Sequence, residues 1–197
     1  MPWTVTTRSE FESAPVKGSR FLATVAPAAS PAEALAVVTA LQQRFPRANH
    51  HCWAFLLADG TTRSSDDGEP SGSAGRPILA RIEGREAQNV VVVVTRWFGG
   101  TKLGVGGLVR AYGGCAGQGL DAATPIPLVV RVTVHLTYSY ADTGSVESVL
   151  HELDIAESHT EYGASVHRRV ELPPETVDRL RHRLTEATAG RAVVQGP

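Results

Sequence analysis

The pattern of apolar and polar residues before residue 125 predicts alternating strands and helices. A short strand is predicted over 19–25, and a helix after Ser30, where Pro31 and Glu33 complete a capping-box start. Further predicted elements are a strand over 51–58, a long exposed loop over 63–75, a helix over 77–84 and a strand over 89–95. The last holds five consecutive valines, so we expect a central strand buried on both faces and covered by helices.

Two prolines, Pro125 and Pro127, separate this region from a more regular one and suggest a domain boundary. The domains are therefore predicted as 1–127 and 128–197. The second region predicts strand, helix, two strands, helix and strand, over 128–136, 141–153, 155–162, 164–172, from 174 onward and 191–195. This βαββαβ order is the ferredoxin-like arrangement.

Charge excludes a protein that coats nucleic acid or anionic membrane by bulk attraction. The 197 residues carry 19 basic and 20 acidic side chains, a net charge of −1. The charge is unevenly spread: 1–127 has 12 basic and 10 acidic residues, and 128–197 has 7 and 10. Residues 96–114 hold three basic residues and no acidic one. Any binding of nucleic acid must therefore come from a local basic patch.

The two cysteines, Cys52 and Cys115, form neither a disulfide framework nor a zinc pattern. No signal peptide or membrane span is recognisable. The sequence therefore predicts a cytoplasmic protein that needs no cofactor, has no metal site and does not contact membrane.

A histidine pair and an acidic loop are the first candidates for chemistry. His50 and His51 lie on a predicted strand and should point to opposite faces, so they do not readily share a metal ion. Three carboxylates, Asp66, Asp67 and Glu69, could supply acid and base or hold a hard cation. They could equally cap turns and helices. The catalytic candidates are His50, Asp67 and Glu69.

The glycine-rich segment 95–112 is the second candidate. It follows the valine strand and leads into a predicted helix, so its backbone amides could hold an anion at the helix N-terminus. It matches neither a P-loop nor a dinucleotide-binding motif. The predicted nucleic-acid or phosphate contacts are Arg76, Arg96, Trp97, Gly99, Gly100, Lys102, Gly104, Gly106, Gly107 and Arg110. Aromatic residues, Tyr112 among them, could stack on bases. The alternative is that the glycines permit close packing and the aromatics fill the core.

Three segments together resemble the YigZ/IMPACT family. They are Ala48-x-His50-x-Cys52-x-Ala54, the run Asp66-Asp67-Gly68-Glu69-Pro70-Ser71-Gly72-Ser73-Ala74-Gly75-Arg76-Pro77-Ile78-Leu79, and Val94-Thr95-Arg96-Trp97-Phe98-Gly99-Gly100-x-Lys102-Leu103-Gly104-x-Gly106-Gly107-Leu108-Val109-Arg110-Ala111-Tyr112. The resemblance extends over essentially the whole chain. Trp97 stands where tyrosine is common in the family, and Thr101 where isoleucine is common.

The resemblance implies an α+β protein with an N-terminal ribosomal protein S5 domain 2-like domain and a C-terminal ferredoxin-like domain. It also implies a link to regulation of translation, which is known for eukaryotic relatives, and RNA or the ribosome as partner.

Our leading hypothesis is a non-enzymatic RNA- or ribosome-associated protein whose acidic C-terminal domain faces a protein partner. The rival is a hydrolase or transferase acting on a small phosphorylated or peptide substrate through His50 and the 66–69 loop. A third reading is a protein-interaction module with purely structural glycines. The sequence does not indicate an oligomeric state.

Overall fold

The computed structural model describes residues 1–196 of the chain, which divides into two units, Met1–Leu128 and Val129–Pro197. The prediction placed the boundary after residue 127, and Pro197, the last residue of the predicted second domain, lies outside the described residues. The α+β class predicted from the sequence is confirmed by the described elements.

The first unit is built on a five-stranded antiparallel sheet with the order β2-β3-β6-β4-β5. A separate pair, β1 and β7, joins the start of the unit to its end. Its elements are β1 (Trp3–Thr4), β2 (Ser9–Glu12), β3 (Arg20–Pro27), α1 (Pro31–Arg44), β4 (His50–Leu56), β5 (Thr62–Ser65), α2 (Gly75–Glu83), β6 (Val90–Trp97), α3 (Val105–Ala122) and β7 (Ile126–Pro127).

The five valines of β6 alternate between the faces of the sheet, and all five are completely buried. Val90, Val92 and Val94 belong to the core formed with α2 and α3, whereas Val91 and Val93 belong to the core beneath α1. The prediction of a central strand covered by helices on both sides is confirmed. The alternation also sorts the side chains beyond the valines, because successive residues of a strand point to opposite faces.

The start of α1 forms as the capping pattern predicts. The Ser30 side chain accepts a hydrogen bond from the Glu33 amide, and the Glu33 carboxylate accepts one from the Ala29 amide. Pro31 occupies the first turn, where the missing amide hydrogen costs nothing. These bonds satisfy amides that a helix start otherwise leaves unpaired.

The predicted long loop over 63–75 is wrong at both ends. Its first residues belong to β5, and its last, Ser73 to Gly75, are buried and lead into α2. Few apolar residues made the segment look solvated, but backbone hydrogen bonds order it instead. The short strands β1, β2 and β7 were also missed, since two to four residues carry too little alternation to be recognised.

The second unit has the predicted ferredoxin-like topology. Its elements are β8 (Val132–Tyr138), α4 (Thr143–Glu152), β9 (Glu157–Tyr162), β10 (Val166–Leu172), α5 (Val177–Thr188) and β11 (Val193–Gln195). The antiparallel sheet has the order β11-β8-β10-β9. The first strand begins later than predicted, and the start of each predicted helix is a 3₁₀ turn, Tyr140–Asp142 and Pro174–Thr176.

Candidate functional site

Strand register places His50 directly beside Arg96. The two residues are partners across β4 and β6, and Arg96 is also the partner of Phe21 on β3. Arg96, Val94 and Val92 are alternate residues of β6, so their side chains point to the same face of the sheet. This face carries α2 and α3. A row of three side chains therefore crosses three strands on one face.

Asp66 orders the loop that follows β5. Its carboxylate accepts hydrogen bonds from the amides of Gly72, Ala74 and Gly75 at 2.7, 2.9 and 2.8 Å. Burial alone would raise the pKa of Asp66, but the three amides outweigh it, so the pKa lies below its ordinary value. Two of these amides belong to the start of α2, so Asp66 caps that helix and closes the loop.

Asp67 has a structural role too. Its carboxylate accepts the amide hydrogen of His51 at 2.6 Å, and its carbonyl oxygen lies 2.7 Å from Nδ1 of His50. Of the three acidic candidates, only Glu69 lines a cavity together with His50. Within residues 1–196, no group of three or more histidine, cysteine, aspartate or glutamate side chains is arranged to hold a metal ion.

Glu69 lies at the centre of a buried polar cluster. One oxygen, Oε1, accepts hydrogen bonds from Nη1 of Arg96 at 2.5 Å and from the Tyr112 hydroxyl at 2.6 Å, and lies 3.8 Å from Nε2 of His50. The side chains of Glu69 and Arg96 are each only 5% exposed. Burial is also the main reason why the pKa of Tyr112 is raised, and why that of Cys52 is raised to about 12.

Arg96 is consequently not the exposed phosphate contact that we predicted. Its Nη1 pairs with Glu69 and its Nη2 donates to the Ser19 hydroxyl at 3.2 Å, while Nε is buried and has no acceptor within residues 1–196. The basic segment 96–114 has no acidic residue of its own, but Glu69 neutralises this arginine from 27 residues away. Tyr112, one of the aromatic residues named above as able to stack on bases, is completely buried.

A cavity of about 390 Å³ lies above the cluster. Its lining combines a polar wall with an apolar one, and consists of His50, Glu69, Pro70, Arg96, Phe98, Lys102, Leu103, Gly104, Val105 and Leu108. This volume falls in the range of roughly 300–1,000 Å³ that is typical of small-ligand sites. Phe98 is 46% exposed at the cavity, with the Arg96 guanidinium 5.5 Å from its ring centre.

The N-terminus of α3 forms one side of this cavity and has no cap. The first amide that donates within the helix is that of Leu108, to the Gly104 carbonyl at 2.9 Å. Gly104 offers no side chain, and the first turn contains no acidic residue. The amides of residues 105–107 therefore have no acceptor within residues 1–196, which makes this helix end attractive to an anion.

Three exposed cations surround this helix end. Lys102 lines the 390 Å³ cavity, while Lys17 and Arg110 line a second hollow of about 230 Å³ beside Gly107. None of the three forms an ion pair with another residue in the described part of the chain. Lys102 and Arg110 thus fit the predicted phosphate-binding role, and Lys17 joins them from a loop that the sequence did not single out.

The predicted glycines divide between backbone geometry and packing. Gly100 and Gly104 have positive φ angles of 87° and 72°, which favour glycine. Gly99 passes so close to Gly18 that an added Cβ would lie 1.9 Å from the Gly18 carbonyl carbon. Gly106 and Gly107 belong to the uncapped first turn, the region where a ligand could approach the backbone.

Trp97 and Arg76 lie apart from the cavity. Trp97 points to the opposite face of the sheet, where it packs edge to face against Phe45 at 5.4 Å and lies beneath the Arg20 guanidinium at 5.2 Å. Arg76 is exposed in the first turn of α2 and does not line the cavity. The structure thus brings His50, Glu69, Lys102 and Gly104 together around one cavity, but not Trp97 or Arg76.

Fold and site together define a two-unit α+β protein with an anion-attracting helix end and a ligand-sized cavity in its first unit. The Impact N-terminal domain model matches residues 17–120, and the model of a domain of unknown function, DUF1949, matches residues 136–191. The chain belongs to the IMPACT family.

Similar proteins occur in several bacteria. The chain is 42% identical over 183 residues to an IMPACT family member of Thermus thermophilus, covering 92% of this chain and 99% of that one. It is 34% identical over 179 residues to the IMPACT family member YigZ of Escherichia coli, covering 89% and 88%. A crystal structure of a hypothetical protein has a TM-score of 0.74 at 30% identity, covering 99% of this chain and 96% of that one. Of the helices described in residues 1–196, none is both long and apolar enough to cross a membrane.

Proposed function

We propose that this chain is a non-enzymatic RNA- or ribosome-associated protein that acts in the regulation of translation. It contacts the phosphate backbone of RNA through the N-terminus of α3. The observation that carries the proposal is the uncapped first turn, whose three unpaired amides are surrounded by Lys17, Lys102 and Arg110. Backbone amides at a helix N-terminus and nearby cations are a recurring site for phosphate.

Phe98 supplies the second element of the proposed interface. It is exposed beside the helix end, so an unpaired base could stack on its ring while the attached phosphate lies on α3. Phe98 takes the base-stacking role predicted for Trp97, because the Trp97 side chain lies on the sheet face that carries α1. Membership of the IMPACT family supports the link to translation, and the net charge of −1 requires that binding depend on this local patch.

The proposal is tested by titrating labelled single-stranded RNA against the full chain and the double variant Lys102→Ala/Arg110→Ala, measuring fluorescence anisotropy at several salt concentrations. We expect the wild type to bind at low salt and to weaken as salt rises, because neutralised phosphates release counterions. Loss of two phosphate contacts should weaken binding and reduce the slope of log K against log salt by about 1.4, at roughly 0.7 per contact on single strands.

A matched control removes two exposed cations elsewhere, Arg63→Ala/Arg179→Ala, and should leave the affinity and the slope unchanged. The proposal fails if the wild type binds no RNA at low salt. It fails equally if the two double variants lose the same affinity, because only non-specific charge would then be at work.

A hydrolase or transferase that acts on a small phosphorylated or peptide substrate is the second candidate function. It is favoured by the single observation that His50 and Glu69 meet at 3.8 Å in a cavity of small-ligand size. A neutral histidine next to a carboxylate could act as a general base. A screen of phosphorylated and peptide substrates should then find turnover that both His50→Ala and Glu69→Gln abolish, and turnover that survives both would exclude these residues from the reaction.

A further inference from the structure

The polar wall of the 390 Å³ cavity includes two hydrogen-bond acceptors beside the donors of Arg96 and Lys102. His50 supplies the first. Its Nδ1 lies 2.7 Å from the carbonyl oxygen of Asp67, and a carbonyl can only accept a hydrogen bond. When the ring is neutral, its hydrogen therefore lies on Nδ1, and Nε2, which is 3.8 Å from Oε1 of Glu69, is an acceptor.

Glu69 supplies the second acceptor. Its Oε1 is occupied by Arg96 and Tyr112, but Oε2 has no hydrogen-bond partner within residues 1–196. The side chain is only 5% exposed, but Oε2 is not one of its fully buried atoms, so this oxygen keeps accessible surface and a ligand can reach it. Hydrogen bonds to a charged acceptor are stronger than those between neutral groups, so a ligand that donates to Oε2 gains affinity.

The charges around the cavity restrict the donor to a neutral group. Glu69 is already paired with Arg96, and Lys102 adds a further positive charge at the lining. An ammonium or guanidinium ligand would meet two cations for one carboxylate. The ligand that fits best donates hydrogen bonds from a neutral edge and carries its negative charge elsewhere.

The remaining walls favour a flat apolar body. Phe98, Leu103, Val105 and Leu108 supply the apolar part of the cavity lining. Among the four RNA bases, only guanine presents two neighbouring donors, N1–H and the N2 amino group, on its Watson–Crick edge. Adenine and cytosine present a donor beside an acceptor, and uracil presents one donor between two acceptors.

We infer that the cavity binds the base of an unpaired guanine nucleotide, with N1–H and the N2 amino group donating to Glu69 and His50. This inference rests on the proposed RNA binding. The phosphate of that nucleotide would lie at the start of α3, because Gly104 and Val105 belong both to the cavity lining and to the helix end, and Lys102 lines the same cavity. The helix end thus binds any phosphate, and the cavity selects the base.

The test compares short labelled oligouridylates that carry one central guanosine, inosine or adenosine, measured by anisotropy with the full chain. The oligonucleotide with a central guanosine should bind about tenfold more tightly than the one with a central adenosine. This discrimination is typical of a pair of hydrogen bonds to one base edge. Inosine keeps N1–H but lacks the amino group, so its affinity should be intermediate. These ligands change the base alone and leave the protein intact.

A protein variant supplies the complementary evidence. Glu69→Gln should reduce the guanosine preference to below about threefold, whereas Glu83→Gln, which removes an exposed carboxylate of the same unit, should retain it. If all three oligonucleotides bind equally, the guanine inference is overturned while the proposed RNA binding stands. If no oligonucleotide binds at low salt but guanosine monophosphate does, base recognition is supported and the RNA function is overturned. If neither the oligonucleotides nor guanosine monophosphate bind, the guanine inference and the proposed RNA function are both overturned.

Discussion

The substitution Arg96→Met tests whether Arg96 stabilises the fold as the buried partner of Glu69 or is an exposed cation that contributes little to stability. The Arg96 and Glu69 side chains are each 5% exposed and their atoms Nη1 and Oε1 are 2.5 Å apart. Removal of one member of a buried pair leaves the other charge uncompensated and costs about 3–5 kcal/mol. Tyr112 still donates to Glu69 in the variant, so we expect a loss near 3 kcal/mol in the free energy of unfolding.

Urea denaturation at neutral pH, followed by circular dichroism, measures this loss. The matched control is Arg85→Met, which removes an arginine whose partner Asp121 is 63% exposed. An exposed pair is worth about 1 kcal/mol or less, so the control should change little. The double variant Arg96→Met/Glu69→Gln should be more stable than the sum of the two single losses predicts, by at least about 1 kcal/mol. If Arg96→Met and Arg85→Met lose the same free energy of unfolding, the Arg96–Glu69 pair is no more stabilising than an exposed pair.

Three further predictions concern the framework of the site. The pKa of Asp66 is lowered in the folded chain, so its carboxylate stabilises the fold above the ordinary aspartate pKa of about 3.9. Asp66→Asn should therefore reduce stability at neutral pH, and the difference from wild type, measured by thermal denaturation, should vanish as the pH falls through the folded pKa. Gly99→Ala should cost at least about 2 kcal/mol because its Cβ meets the Gly18 backbone, whereas Gly114→Ala, with open space in α3, should gain about 0.5–1 kcal/mol in urea denaturation. Burial raises the pKa of Cys52 to about 12, so a thiol reagent at mildly alkaline pH should label it only after unfolding, and rapid labelling of the native chain would contradict its burial.

Local signals predicted most of the fold because each element carried its own evidence. The valines of β6, the cap at Ser30 and the βαββαβ order of the second unit could be recognised without knowledge of distant contacts. The loop after β5 could not, because its order comes from three amides that converge on Asp66 rather than from apolar residues. Short strands were missed for a similar reason: pairing partners, not their own sequence, define them.

The site could be predicted only as a set of residue types. Parity along β4 and β6 places His50 with Cys52 and Arg96 with Val94, and the register between the strands then makes His50 and Arg96 neighbours. Neither segment contains a sequence signal that specifies this register. The pairing of Arg96 with Glu69 spans two segments, so an arginine that looked unpaired in its own segment is neutralised in the fold.

An NMR titration of the full chain with single-stranded RNA shows whether RNA phosphate lies on the uncapped end of α3. We expect the amide signals of Val105, Gly106 and Gly107 to shift first and most, and Lys102→Ala/Arg110→Ala to reduce those shifts at equal RNA concentration. Shifts confined to other surfaces, with these three amides unchanged at saturating RNA, would contradict this placement of the phosphate.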